Sequence, residues 1–397
     1  MTPLALTAFT ATSCIGRGLA ATLAALEARR GGLKPCSFET VALDTCVGEV
    51  PGVDDTPLPP ELGEFECRNN RLALLALAQD GFAAAVADCA ARSGAARIGL
   101  WLGTSTSGIL ETELAYRRRD PATGALPADF RYRGAHNTFS VAAFVRRALA
   151  LEGPAAVISS ACSSSAKVFA SAQRAIAAGV VDAAVVGGVD TLCLTTLYGF
   201  HSLQLVARAP CRPFDAGRDG ISIGEAAAFA LLERPGARLR PDTVLLLGCG
   251  ESSDAWHMSS PHPEGRGARA AMERSLAAAG LSAAAIDYLN FHGTGTPSND
   301  AAEARAVAAL LGPRTPGSST KGATGHALGA AGSLEAVICA LALRHGFMPG
   351  GVNTSAIDTA LGVSYLLENR PARLKHVMSN SFGFGGSNCS LVFGRAG

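Results

Sequence analysis

Short apolar runs alternate with longer alanine-rich stretches along most of this chain of 397 residues, and that alternation constrains its fold most strongly. The short runs have the length and composition of buried strands, and the longer stretches have helical periodicity. The predicted strands are 97–102, 155–160, 183–189, 227–232, 243–247, 288–291 and 390–393. The predicted helices are 71–91, 163–178, 267–279, 301–311 and 333–345. Such alternation predicts a layered α/β fold.

Composition is consistent with a large buried core, because 48% of the residues are apolar and 17% are charged. The 34 basic and 33 acidic residues give no reason to expect binding to nucleic acid or to an anionic membrane. No Lys or Arg precedes the first apolar stretch, so the N-terminus is interpreted as a strand and turn and not as a signal peptide. No run is interpreted as membrane-spanning.

Eleven cysteines are scattered without the regular spacing of a disulfide framework. They are interpreted as reduced thiols, which predicts a cytoplasmic protein. CxxC and HExxH patterns are absent from the sequence, so no metal site is predicted. The run VLLLGCGESSD lacks the third glycine of a dinucleotide-binding fingerprint, so nucleotide binding is rejected as well.

The segment ERPGARLRPD, residues 233–242, separates two apolar runs with proline and charge. We therefore predict two units, an N-terminal one over 1–235 and a C-terminal one over 236–397.

One cysteine lies where a predicted strand passes directly into a predicted helix. In AAVISSACSSSAKVFASAQRAIAAG, residues 155–179, small residues surround Cys162 at this turn. Free N–H groups and the positive end of the helix dipole favour a thiolate there, and such sites lower a thiol pKa from about 8.5 to roughly 3.5–7.5. A small core residue without function is the alternative.

Three glycine-rich segments near the C-terminus carry further candidates. IDYLNFHGTGTPSNDAAEA places His292 after a strand, and STKGATGHALGAAGSLEAV places His326 in a loop before a helix. Each histidine is either a hydrogen-bonded structural residue or a functional one, and glycines beside both permit close backbone approach. SNSFGFGGSNCSLVF holds Phe382 and Phe384, either in a mobile turn or in a gate whose backbone N–H faces an oxyanion.

Together with CRPFDAGRDGISIGEAAAFALLE (211–233) and SSDAWHMSSPHPEG (252–265), these segments resemble the β-ketoacyl synthase family in type and order, over about residues 95–393. The resemblance implies a five-layer αβαβα sandwich of two similar halves, the thiolase-like fold, as a homodimer or as a heterodimer with a synthase-like subunit. It also implies condensation of a Cys-bound acyl group with a malonyl thioester in fatty-acid or polyketide elongation. Both substrates would be carried on the phosphopantetheine of acyl carrier protein, with no further cofactor.

The resemblance also implies residue roles. Cys162 is the implied nucleophile, and His292 and His326 complete the catalytic set. Lys321 and Glu335 form a supporting ion pair, and the backbone amides of Cys162 and Phe384 form an oxyanion hole with Phe384 as gate. The implied substrate-binding residues are Thr294, Thr296, Phe382, Thr104 and Thr106.

Alternative functions remain within and beside this family. A non-catalytic chain-length-factor-like subunit would lack the cysteine, a degradative thiolase would lack the HGTGT and TKGATGH patterns, and Cys-His-Asn synthases would have asparagine at 326. A shortened 203–212 segment and hydroxyl-rich 102–113 segment resemble specialised enzymes, such as those of aryl-polyene synthesis. A basic rim for the acidic carrier protein is predicted at Arg68, Arg71, Arg117, Arg118, Arg119 and Arg208.

Overall fold

The computed structural model describes residues 1–236 and 239–396, and in them strands and helices alternate as the sequence predicts. The strands are Leu4–Ser13 (β1), Gly16–Arg17 (β2), Lys34–Pro35 (β3), Cys46–Val47 (β4), Ile98–Gly103 (β5), Ala155–Ile158 (β6), Ala183–Asp190 (β7), Ala226–Glu233 (β8), Val244–Ser253 (β9), Tyr288–Asn290 (β10), Pro316–Ser318 (β11), Phe347–Met348 (β12), Ser364–Tyr365 (β13), Arg370–Pro371 (β14), His376–Gly383 (β15) and Ser387–Arg395 (β16). The α-helices are Gly18–Glu27 (α1), Arg68–Leu77 (α2), Phe82–Ser93 (α3), Ile109–Arg117 (α4), Ser140–Ala148 (α5), Ser164–Ala177 (α6), Leu194–Ser202 (α7), Arg266–Ala279 (α8), Pro297–Leu310 (α9), Lys321–Thr324 (α10) and Ala331–His345 (α11).

The strand order repeats between the two halves of the chain. The first half runs β6-β5-β7-β8-β1 and the second runs β11-β10-β15-β16-β9, with β1 and β9 paired where the two runs meet. In each run the first three strands are parallel and the remaining pairings are antiparallel. The two halves are therefore similar in topology. Residues 237 and 238 of the predicted boundary segment lie outside the described residues, and a division at 235/236 stays a prediction.

The layers follow from the way that strand side chains alternate between two faces. In β8, Ala228, Ala230 and Leu232 enter a central core, whereas Phe229 and Leu231 enter an outer one. The central core contains α6 and α11 together with inward-facing residues of both strand runs. Helices α2, α3 and α5 cover the outer face of the first run, and α8 and α9 cover that of the second. The predicted five-layer α/β fold is confirmed.

The predicted helix over 71–91 is wrong, because the chain breaks it into α2 and α3, which are bent by 74°. Asp80 and Gly81 take positive φ values of 57° and 67° at the break. The Asp80 carboxylate accepts hydrogen bonds from the backbone N–H of Leu19 and the hydroxyl of Thr10. These contacts with the N-terminal segment outweigh the local helical propensity.

Helix ends and core helices agree better with the sequence pattern. The left-handed residues after α6 and α11 are Gly179 and Gly346, at φ 72° and 69°, where glycine avoids the strain of a Cβ atom. The run Leu328–His345 has the length and hydropathy of a membrane span, yet 89% of it is buried inside the protein. It therefore has the properties of a core helix.

Candidate active site

Cys162 occupies the turn between β6 and α6, where the sequence places it. The preceding residue, Ala161, has φ 53°, a left-handed conformation that is strained for a residue other than glycine. Cys162 itself is buried, with 5% of its surface exposed. The sharp turn thus presents the thiol inside the protein beside the first turn of α6.

The structure brings both predicted histidines to this thiol. His292 follows β10 and His326 follows α10, and both are 2% exposed. The Cys162 sulfur and one nitrogen of each imidazole lie within 4.8 Å of one another. The imidazole rings are nearly perpendicular, with centroids 5.2 Å apart. One thiol and two imidazoles therefore share a single buried cluster.

The backbone around the histidines is held by buried groups that the sequence did not single out. The Glu303 carboxylate accepts the N–H groups of His292 and Gly293, both at 2.8 Å, and the amide of Asn380 at 3.1 Å. The N–H of His326 donates to the carbonyl oxygen of Ser222 at 2.7 Å. These contacts join residues that are distant in the sequence, so the sequence pattern gave no signal for them.

Lys321 and Glu335 form a buried ion pair next to His292, and each is 1% exposed. The Lys321 ammonium also donates to the carbonyl oxygen of His292 at 2.6 Å and lies 3.4 Å from its Nδ1. The pair therefore contacts both the backbone and the ring of His292.

The cluster opens into a cleft with an empty volume of about 580 Å³. Of the predicted substrate-binding and gating residues, the cleft is lined by Thr294, Thr296, Phe382 and Phe384. The rings of Phe384 and Phe200, which also lines the cleft, are tilted by 50° with centroids 5.5 Å apart. Thr104 and Thr106 do not line this cleft, because their hydroxyls donate to the buried carboxylate of Asp190.

Burial dominates the electrostatics of the site. It raises the pKa of the Cys162 thiol to about 11, although the Lys321 ammonium and the N–H of Phe384 favour the thiolate. The low thiol pKa predicted from the turn is therefore wrong, because loss of solvation outweighs these contacts. Burial also lowers the pKa of both His292 and His326 well below the usual range, so both imidazoles are neutral at pH 7.

The donor set resembles one that could hold zinc, since sulfur and imidazole nitrogen are its preferred ligands. A zinc-bound histidine normally donates its second ring nitrogen to a carboxylate or carbonyl. Here Nδ1 of His292 faces the Lys321 ammonium instead, and Nδ1 of His326 has no hydrogen-bond partner within the described part of the chain. The second ring nitrogens of both histidines therefore lack the acceptor that is typical of a zinc site.

The predicted basic rim is only partly at the surface. Arg68 is 4% exposed and pairs with Glu225 at 2.7 Å and with Glu49 at 3.6 Å. Its assignment to a docking rim is therefore wrong, because the guanidinium is buried and ion-paired inside the protein. The arginines that remain exposed are Arg117, Arg118, Arg119 and Arg208.

Comparison with known proteins identifies the family to which these features correspond. The model of the β-ketoacyl synthase N-terminal domain matches residues 68–236, and that of the C-terminal domain matches residues 244–355. The 3-oxoacyl-[acyl-carrier-protein] synthase 2 of Mycobacterium tuberculosis is 37% identical over 249 residues, which cover 59% of this chain and 60% of that protein. The protein of the same name from Coxiella burnetii is 38% identical over 62% of this chain and 63% of its own length. The chain thus matches about three fifths of the length of these curated relatives.

Solved structures match over the full chain. A ketosynthase from Xenorhabdus doucetiae, in complex with its chain length factor, is 41% identical with a TM-score of 0.90, over 100% of this chain and 98% of that one. A β-ketoacyl synthase from Burkholderia phymatum is 29% identical with a TM-score of 0.87, over 100% of both chains.

Proposed function

The chain belongs to the β-ketoacyl synthase family, and on that premise we propose that it condenses a Cys162-bound acyl group with a malonyl thioester carried on acyl carrier protein. The observation that carries this proposal is the convergence of Cys162, His292 and His326 in one buried cleft. A chain-length-factor-like role without catalysis is disfavoured, because the cysteine and both histidines are present and their ligand atoms lie within 4.8 Å of one another.

In the first step, the sulfur of Cys162 attacks an acyl thioester of the carrier protein. The carbon–sulfur bond to the carrier breaks, a thioester to Cys162 forms, and the thiol proton passes to the departing pantetheine sulfur. The backbone N–H groups of Cys162 and Phe384 both favour negative charge at the site, consistent with an oxyanion hole for the tetrahedral intermediate.

In the second step, a malonyl thioester loses carbon dioxide, and the electron pair of the broken carbon–carbon bond moves onto the thioester oxygen. Neutral histidines suit this step because each can donate an N–H to the enolate. Where the Lys321 ammonium donates to Nδ1 of His292, the imidazole proton lies on the other nitrogen, which then serves as the donor. The enolate carbon attacks the Cys162 thioester, and collapse of the intermediate releases the thiolate.

We further propose elongation in a polyketide-type pathway, with a second synthase-like subunit as partner. The support is the full-length similarity, at 41% identity, to a ketosynthase solved in complex with its chain length factor. The aromatic side chains of Tyr116, in the last turn of α4, and of Tyr132 and Phe139, between α4 and α5, are exposed, and we propose that they contact such a partner. The test of pathway compares condensation of saturated, polyenoic and aryl acyl-carrier substrates.

Covalent loading tests the reaction itself. We expect acyl-carrier protein to add one acyl mass to the wild-type chain and none to Cys162→Ala. Cys389→Ala is the matched control, since the Cys389 thiol is buried in the central core and does not line the cleft, and this variant should load normally. Acylation of Cys162→Ala would refute the assignment of the nucleophile.

A further inference from the structure

A buried carboxylate behind the cleft joins two segments. Asp190 ends β7, has no exposed surface, and accepts three hydroxyls from the loop after β5, those of Thr104 and Ser105 at 2.6 Å and of Thr106 at 2.9 Å. Backbone N–H groups of Ser105 and Thr106 add hydrogen bonds of 2.8 and 2.9 Å. From the second segment, the N–H of Gly329 donates at 2.6 Å.

The second segment carries His326, three residues before Gly329. Leu328 between them has φ 49°, a strained conformation that persists only where the surroundings hold it. A Cβ atom on Gly329 would lie 2.7 Å from both Asp190 Oδ2 and the backbone nitrogen of Ser105. Glycine therefore permits the close approach by which the carboxylate holds this segment.

The first segment lies against the helix that follows Cys162. A Cβ atom on Gly103, where the loop begins, would lie 2.3 Å from the backbone nitrogen of Ser165. We propose that Asp190 is a positioning residue: Oδ2 accepts from the His326 segment and from the Ser105 hydroxyl, and Oδ1 accepts from the rest of the loop that follows Gly103. The distance between nucleophile and histidine then depends on one carboxylate.

The charge of Asp190 gives a second, independent signature. Burial is the main cause of the raised pKa of Cys162, and the Asp190 carboxylate raises it further. A neutral side chain at 190 should therefore lower the thiol pKa, which a change of packing alone does not predict.

The test is Asp190→Asn. The retained oxygen, in the place of Oδ1, can keep its contacts with Thr104 and Thr106. The new NH₂ group, in the place of Oδ2, faces the N–H of Gly329, so donor opposes donor there, and the Ser105 hydroxyl loses its acceptor. The first readout is malonyl decarboxylation, and for this readout the inference rests on the proposed condensation. We expect kcat to fall at least about tenfold with KM unchanged, because small misplacements of catalytic groups lower the rate strongly. The second readout is the rate at which iodoacetamide alkylates Cys162, measured by peptide mass spectrometry. We expect the pH dependence of this rate to shift to lower pH in the variant.

Asp215→Asn is the matched control. Asp215 is 3% exposed, and its carboxylate accepts the N–H groups of Gly217, Ser355 and Ala356, joining two loops that do not line the cleft. Ser105→Ala is a milder companion variant, which removes one hydroxyl donor from Asp190. We expect it to lower kcat for malonyl decarboxylation by a smaller factor, again with KM unchanged. The inference would be overturned if Asp190→Asn and Asp215→Asn lost equal activity for equal losses of stability, and if the pH dependence of Cys162 alkylation were unchanged. The alkylation readout needs no carrier substrate, so a shifted profile in a protein that does not condense would refute the proposed function and support the placement of Asp190.

Discussion

Replacing Lys321 by methionine tests the buried ion pair beneath the two histidines. The ammonium is the hydrogen-bond partner of Glu335 Oε1, and Glu335 Oε2 has none in the described residues. Lys321→Met therefore leaves a buried carboxyl without a partner. Removing one member of a buried pair typically costs about 3–5 kcal/mol of unfolding free energy.

The size of this loss should depend on pH. Burial raises the pKa of Glu335 to about 7, even though the Lys321 ammonium opposes the shift. Without the ammonium the pKa rises further. A carboxyl whose folded pKa exceeds its unfolded value binds more protons when folded, so stability falls as pH rises between the two values, by about 1.4 kcal/mol per unit. That window ends near pH 7 in the wild type and extends above it in the variant.

We therefore expect the two proteins to differ little near pH 5, where the carboxyl is protonated in both. Near pH 9 the variant should be less stable by about 3 kcal/mol. Urea unfolding across this range measures the difference through the shift in midpoint at constant slope. A destabilisation that does not change with pH would refute the reasoning.

The double variant Lys321→Met, Glu335→Leu separates stability from catalysis. Apolar replacement of a whole buried pair is often neutral or stabilising, so the double variant should regain most of the lost stability. Condensation should stay low, because His292 still lacks the ammonium that contacts its carbonyl and ring. A double variant with near wild-type condensation would show that the pair serves the fold alone.

Two further predictions concern the neighbouring groups. His292→Ala and His326→Ala should each lower the rates of malonyl decarboxylation and condensation by about 10²–10³, because enolate charge develops only in the second step. Acylation of Cys162, measured by intact mass, should fall much less. Near wild-type condensation in either variant would contradict this role. Thr106→Val should lower the free energy of unfolding, measured in urea, by about 1–3 kcal/mol, because Asp190 loses a buried donor. The ranking of acyl substrates should stay unchanged, and an altered ranking would place Thr106 in the acyl pocket.

The sequence predicted those parts of the site that depend on local pattern. Cys162 could be placed because an apolar strand, small residues and an amphipathic helix follow one another within 25 residues. His292 could be placed because it ends a short buried strand. The five-layer fold itself came from the family resemblance, and only its α/β character came from the alternation of elements.

The errors concern burial and contacts between distant residues. Arg68 looked like a surface cation, because no local signal shows that Glu225, 157 residues later, meets it in the interior. Thr104 and Thr106 looked like acyl-pocket hydroxyls, because Asp190 lies more than eighty residues away. The thiol pKa was misjudged because the turn supplies the local dipole, whereas the surrounding fold supplies the larger desolvation.

That desolvation has opposite consequences for the two halves of the proposed reaction. Because burial raises the pKa of Cys162 to about 11, the thiol is protonated at pH 7, so acylation requires proton loss as the carrier thioester arrives. The same burial keeps His292 and His326 neutral, and a hydrogen bond to an enolate is stronger where water is excluded. A more exposed cleft would ionise the thiol more readily but would weaken the groups that stabilise decarboxylation. The Lys321 ammonium eases this conflict, because it favours the thiolate and the neutral imidazoles at the same time.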